Sequence, residues 1–109
     1  MNKNKETKQL FKDLNALMQF PKEGIFSTVL EKSPNHNYTL MCLAKGTDID
    51  THTSTKAGNV LVLKGSGTFT LFDEKIEMKP GVIIFMPKDA PHSLYAKEDL
   101  AFVLTLITE

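Results

Sequence analysis

The sequence predicts an all-β domain, a barrel or sandwich, preceded by one short N-terminal α-helix. Apolar residues recur at helical spacing only before Gly24, and beyond it their period changes from 3.6 to 2. Short runs rich in Val, Ile, Phe and Thr then alternate with turn signals along the remaining chain. Many short strands at close spacing are typical of sandwiches and barrels. The length of 109 residues corresponds to one domain with one core.

The predicted helix covers about residues 6–18. Pro21 and Gly24 mark its end, because proline and glycine interrupt helical backbone. We expect residues 1–24 to form the helix and a lead-in that packs on the outside of a barrel built from residues 25–109. The apolar positions of this helix are Leu10, Phe11, Leu14, Leu17 and Met18.

The strands follow in order after the lead-in. The turns between them contain Gly, Pro, Asn and Asp, as in Gly65-Ser66-Gly67 and Pro80-Gly81. These residues supply the backbone conformations that tight turns require. The predicted strands are 25–32, 38–45, 50–55, 59–64, 67–72, 75–79, 82–86, 92–96 and 100–108.

Charge and composition exclude several function classes. Thirteen lysines balance thirteen acidic residues and there is no arginine, so no net field attracts nucleic acid or an anionic membrane. The N-terminus has no signal-peptide apolar core, and no apolar run approaches the roughly 20 residues of a spanning helix. We expect a cytoplasmic protein with neither nucleic-acid nor membrane partners, in which the single Cys42 is a small buried hydrophobe.

Candidate chemistry lies at the three histidines. His36 lies in a loop by composition, and we expect it to be solvated. His92 follows a buried-looking strand and a turn bracketed by prolines. Strand alternation places His52 and the polar residues around it on one face of a strand. That set is Asp48, Asp50, His52 and Ser54.

The spacing of the two histidine segments resembles the cupin family, whose motifs run G-x5-H-x-H-x3,4-E-x6-G and G-x5-P-x-G-x2-H-x3-N. The matching residues are Gly46, His52 and Gly65 in the first motif and Gly81, Pro87 and His92 in the second. The resemblance covers about residues 39–107. The chain is also similar to small stand-alone cupins with a short N-terminal helix. It implies a double-stranded β-helix, a jelly-roll barrel whose mouth holds a metal bound by three histidines and one glutamate.

The chain departs from both cupin motifs. Ser54 stands where the second histidine is expected, and Gly58 stands where the glutamate is expected. In the second motif, Asp89 replaces a glycine and Ala96 the asparagine. Asp50, two residues before His52, is the candidate third ligand of a site with two histidines and one carboxylate.

Three functions therefore stay open. The first is a small cupin barrel that binds a small molecule inside the barrel with a weak metal site or none. The second is a metal-dependent enzyme of dioxygenase or isomerase type, using His52, His92 and Asp50 around a divalent transition metal (iron, manganese, nickel or zinc). The third is a structural dimer without pocket chemistry, and fold alone does not choose among them. The expected pocket residues are His52, Ser54, His92, Met41, Leu43, Phe69, Leu71, Phe85 and Met86.

We also expect a homodimer. The last predicted strand is apolar on both faces and therefore needs two covers. One cover is the barrel interior, and the other is the N-terminal helix or a partner subunit. Small cupins commonly pair through sheet edges, so the resemblance favours a dimer as well. The first face carries Leu100, Phe102, Leu104 and Leu106, and the second carries Val103 and Ile107.

Overall fold

The computed structural model describes residues 10–108, which form one short helix and nine strands in two antiparallel sheets. One sheet has the strand order β1-β2-β9-β4-β7 and the other β3-β8-β5-β6. The predicted all-β barrel with one short N-terminal helix is confirmed. The elements are α1 (Leu14–Leu17), β1 (Ile25–Lys32), β2 (His36–Leu43), β3 (Asp48–His52), β4 (Ala57–Lys64), β5 (Gly67–Leu71), β6 (Glu74–Met78), β7 (Ile83–Met86), β8 (His92–Ala96) and β9 (Leu100–Ile107).

The core lies between the two sheets and follows the period of 2. On β4, Val60 and Val62 are each 1% exposed, whereas Leu61 between them faces outward. On β7, Met86 is buried and its neighbour Phe85 is exposed. Successive side chains of a strand point to opposite faces. One residue in two therefore faces the core.

One end of the barrel, here called the mouth, contains both candidate histidines. It is formed by the last residues of β3, β7 and β9 and by the first residues of β4 and β8. His52 ends β3 and His92 begins β8, and the two residues are paired across the strands. At the opposite end, Leu43 pairs with Leu100. The mouth therefore places the two histidine motifs beside each other.

The outer face of the five-stranded sheet is covered by α1 and its lead-in. Leu40 and Cys42 alternate with Met41, which lines the interior, so the first two point outward. Cys42 is fully buried, as the sequence predicts. The buried cluster on this face contains Leu40, Cys42, Ala101 and Val103, packed against Leu14, Leu17, Met18, Phe20, Leu30 and Leu63.

The helix is shorter than predicted for residues 6–18, of which 6–9 lie outside the described residues. Asp13 is its N-cap, with extended backbone (φ −93°, ψ 102°), and its carboxylate accepts a hydrogen bond from the Ala16 amide at 3.3 Å. A capping residue precedes the first helical residue, so the helix begins at Leu14. Within residues 10–108, no helix is long and apolar enough to cross a membrane. The two apolar positions before the cap are exposed: Leu10 and Phe11.

Both faces of β9 are largely covered within the chain. Phe102 and Leu104 line the interior, and Val103 packs beneath the lead-in. Of the two possible second covers, the N-terminal segment is the one that packs on this face of β9. Exposed apolar side chains remain elsewhere on the outer face of this sheet. They include Leu61 on β4, Ile83 and Phe85 on β7, Ile107 on β9, Phe26 on β1 and Tyr38 on β2.

Candidate functional site

A cavity of about 110 Å³ lies between the sheets near the mouth. Its polar lining residues are His52, His92 and Ser93, and all its other walls are apolar. No lysine, aspartate or glutamate of the described residues lines it. The full lining is Met41, Ile49, His52, Val60, Phe69, Met86, His92, Ser93, Leu94, Phe102 and Leu104.

The structure brings the two histidines together. Their ring centroids are 4.2 Å apart, with 61° between the ring planes. His92 is buried at 9% exposure, while His52 is exposed on the solvent side of the pair. The ring of His92 also lies parallel to Phe69. The cavity therefore has one buried imidazole and one at its entrance.

The backbone fixes the proton position on both rings. Nδ1 of His52 lies 2.9 Å from the carbonyl oxygen of Asp50, and Nδ1 of His92 lies 2.9 Å from that of Ala90. A carbonyl oxygen only accepts, so each Nδ1 carries the hydrogen and donates it. In a neutral ring the other nitrogen, Nε2, is then an acceptor.

The two Nε2 atoms are open to a ligand. Neither Nε2 atom makes a hydrogen bond to a described residue, because the hydrogen bonds of both rings are those of Nδ1 given above. Within the same residues, no buried side-chain nitrogen or oxygen lacks a partner. Nε2 of His92 therefore reaches solvent-accessible space rather than being sealed in the core. The mouth thus presents two hydrogen-bond acceptors.

A β-bulge in β3 overturns the predicted polar face. Ile49 pairs with Leu94, but His52 pairs with His92, so β3 contains one extra residue between these pairs. The bulge puts Ile49 and His52, three residues apart, on the cavity side. Asp50 is exposed and offers its backbone carbonyl to His52. The structure therefore does not bring Asp50 into the cavity with the two histidines, and its role as a third ligand stays a prediction.

Four further expected pocket residues do not line the cavity. Leu43 is fully buried in the core at the opposite end of the barrel. Phe85 is 67% exposed on the outer face, because alternation on β7 cannot turn both Phe85 and Met86 inward. Ser54 accepts a hydrogen bond from the Lys56 amide instead of contacting the histidines. Leu71 packs against the core beside the cavity without lining it.

Sequence reasoning missed several wall residues. Leu104 and Phe102 alternate on β9, and Val60 is an inward residue of β4, so the period of 2 was a usable signal for these three. The period of 2 could not predict that Ile49 lines the cavity with His52, because the bulge lies between these two residues. The other wall residues missed are Ser93 and Leu94.

The remaining histidine is not part of the cavity. His36 is the first residue of β2 rather than a loop residue. Its Nδ1 lies 3.1 Å from Ser33 Oγ, and its ring meets Tyr38 edge-on with centroids 4.9 Å apart. Its Nε2 lies 3.7 Å from the Glu31 carboxylate. His36 is thus a structured residue of the outer surface.

Two backbone contacts hold the segment before His92, one to the segment after His52 and one to the β5–β6 hairpin. The amide of Asp89 donates to the carbonyl of Ser54 at 2.8 Å. The amide of Phe72, at the tip of the β5–β6 hairpin, donates to the carbonyl of Pro91 at 2.9 Å. Asp89 and Phe72 both have positive φ, 65° and 54°. The mouth is therefore bordered by two residues in a backbone conformation that L-residues rarely adopt.

The described residues do not fit a metal held by three histidines and a glutamate. Only two imidazoles reach the cavity, and working metal sites generally use three protein ligands or more. At Gly58, where the glutamate is expected, a Cβ would collide with the carbonyl oxygen of Thr105. Within residues 10–108, no group of three or more His, Cys, Asp or Glu residues is placed to hold a metal ion.

Comparison with known proteins agrees with this architecture. The family model described as "Cupin domain" matches residues 39–108. A conserved protein of unknown function from Streptococcus pyogenes has a similar structure, with a TM-score of 0.81 and 28% identity over 94% of this chain and 89% of that one. No curated protein sequence matches the chain.

More distant structures share the fold. A cupin superfamily protein from Desulfitobacterium hafniense has a TM-score of 0.84 and 19% identity, covering 94% of each chain. A salicylate 1,2-dioxygenase from Pseudoaminobacter salicylatoxidans has a TM-score of 0.72 and 18% identity, covering 77% of this chain but 26% of the enzyme. At these identities the likeness concerns the fold alone.

Proposed function

This chain belongs to the cupin domain family, and we propose that it is a binding protein for a small, mostly apolar molecule held in the mouth cavity without a metal ion. The observation that carries the proposal is the pair of histidines, His52 and His92, which line a cavity whose other walls are almost wholly apolar while only their Nδ1 atoms are bonded to the backbone. A concave apolar site with a few fixed polar groups is the usual form of a small-molecule pocket.

Two physical effects favour binding of a small molecule in this cavity. Burying apolar ligand surface against Phe69, Phe102 and Met86 is favourable by about 25 cal/mol per Å². The polar ends of the histidines then fix the orientation of the ligand. Because each Nδ1–H is already committed to a backbone carbonyl, the rings need no rearrangement when a ligand binds.

The proposal is tested by screening small fragments against isotope-labelled protein prepared with a metal chelator. We expect amide shifts confined to residues around the cavity, on β3, β5 and β8. His92→Phe keeps a flat ring beside Phe69 but removes the acceptor, and we expect it to weaken binding of fragments that carry hydrogen-bond donors. His36→Phe is the matched control, since His36 lies outside the cavity. Shifts scattered over the surface, or equal effects of both variants, would contradict the proposal.

A metal-dependent enzyme of dioxygenase or isomerase type is the second candidate. The observation in its favour is the anchoring of both Nδ1 atoms to backbone carbonyls, because metal-binding histidines are commonly oriented in this way. Elemental analysis of protein purified without added metal separates the two candidates. Near-stoichiometric iron, manganese, nickel or zinc that is lost in His52→Ala would favour the enzyme over the metal-free binding protein.

A further inference from the structure

The polar groups of the cavity restrict the chemistry of its ligand. Both histidine Nε2 atoms are acceptors in the neutral rings, and among residues 10–108 Ser93 supplies the only other polar side chain of the wall. No lysine of the described residues lines the cavity to receive an anion. A buried carboxylate or phosphate without a partner is strongly disfavoured. The polar groups of the cavity therefore suit a neutral ligand that donates hydrogen bonds.

The volume restricts the size of the ligand. The cavity measures about 110 Å³, which is smaller than the roughly 150 Å³ of an apolar cavity that binds benzene in another protein. A single ring therefore fills the cavity and extends into its entrance, and a larger ring system does not fit. The aromatic and thioether walls, Phe69, Phe102, Met41 and Met86, suit a flat apolar body. The exposed side of His52 leaves room for a polar substituent at the entrance. One six-membered ring with its polar group at the mouth satisfies these conditions.

We infer that the cavity selects a neutral single-ring molecule whose hydroxyl or N–H groups donate to Nε2 of His52 and His92, with a phenolic hydroxyl as the simplest case. This inference rests on the proposed binding function and names its ligand class. Because the two rings are direct cross-strand neighbours, with centroids 4.2 Å apart, two adjacent donors on one ring engage both acceptors. Catechol is therefore a better ligand than phenol.

The test compares four probes on the wild-type protein in the presence of a chelator: toluene, phenol, catechol and benzoate. They share one ring and differ in what they present to the histidines. One hydrogen bond makes phenol roughly 2- to 12-fold tighter than toluene, and we expect catechol to be tighter again. We expect benzoate to bind roughly tenfold or more weakly than phenol, because its charge has no partner in the cavity.

Variants locate the source of this preference. His92→Phe and His52→Phe should each reduce the ratio of phenol to toluene affinity while toluene still binds. His36→Phe is the matched control and should leave the ratio unchanged, because His36 lies outside the cavity. The exposed position of His52 makes its variant compatible with folding, so the test does not depend on His92→Phe alone.

The outcomes separate the two proposals. If toluene binds in the cavity and phenol binds no better, or if benzoate binds most tightly, the ligand class is overturned while the binding function stands. A change of ratio in His36→Phe equal to that in the cavity-histidine variants also overturns the assignment to His52 and His92. If none of the four probes binds, both the ligand class and the binding function proposed above are overturned.

Discussion

The ring of His92 lies parallel to that of Phe69, with 5.7 Å between the ring centroids and 5° between the planes. Phe69 is 1% exposed and belongs to the central core, so the core directly supports the buried member of the histidine pair. The Nδ1 hydrogen bond to Ala90 holds the same ring from its edge. Orientation of the acceptor is thus determined by packing on one side and backbone on the other.

Truncation of Phe69 should affect stability and binding together. Phe69→Ala removes a fully buried ring, and we expect it to lower the free energy of unfolding by about 3–5 kcal/mol. Phe69→Leu retains most of the volume and should cost less, while releasing the His92 ring. Denaturant unfolding and a fragment titration measure the two effects. Unchanged fragment affinity in a folded Phe69→Leu protein would show that the stacking does not position His92.

The two histidines should differ in their contribution to stability. His92→Ala loses a buried hydrogen bond and leaves a space beside Phe69, so we expect a loss of about 2–3 kcal/mol in unfolding free energy. Because His52 is exposed, we expect His52→Ala to lower the free energy of unfolding by about 1 kcal/mol or less. Urea unfolding of both variants checks the order. Equal losses would contradict the assignment of His92 as the buried member.

Restoring the motif glutamate should not restore a metal site. Gly58→Ala already forces a Cβ against the Thr105 carbonyl, so we expect a loss of about 1–3 kcal/mol in unfolding free energy, and Gly58→Glu should be at least as destabilised. Gly46→Ala is the control for the glycine change itself, since a Cβ at Gly46 meets open space and only its φ of +89° is strained. Zinc binding by a folded Gly58→Glu protein would contradict this prediction.

The left-handed conformation of Phe72 predicts a stabilising substitution. Its φ of 54° costs an L-residue about 1–2 kcal/mol, of which glycine recovers part after its own entropic penalty. We expect Phe72→Gly to raise the unfolding free energy by about 0.5–1 kcal/mol. Phe72→Ala separates the two effects, because it removes the half-exposed ring but keeps the Cβ. Thermal unfolding of both variants decides, and equal stability of the two would contradict the strain argument.

The homodimer stays a prediction, but the surface that we expect to form it is no longer the face of β9. Because the N-terminal segment covers Val103, we expect a partner to cover the exposed apolar patch of Leu61, Ile83 and Phe85 on the neighbouring strands β4 and β7. We expect light scattering to give about twice the 12.2 kDa of one chain at micromolar concentration. Phe85→Lys should shift this mass toward the monomer. A monomeric mass for the unaltered protein would refute the dimer.

Periodicity predicted the fold well and the site only in part. The switch to a period of 2 predicted the strands, although β2 begins at His36 rather than residue 38 and β3 at Asp48 rather than residue 50. The motif spacing placed His52 and His92 in equivalent hairpins. The role of Asp50 could not be predicted, because a bulge depends on how two strands pair, and pairing is not visible in one strand's sequence.

The bond between the Asp89 amide and the Ser54 carbonyl has a consequence for folding kinetics. It joins loops that are distant in sequence, as does the pairing of His52 with His92. Contacts of this kind carry a large loop-closure entropy and tend to form late. The acceptor pair would then exist only in the nearly complete barrel, so a bound molecule should slow unfolding while leaving the refolding rate unchanged.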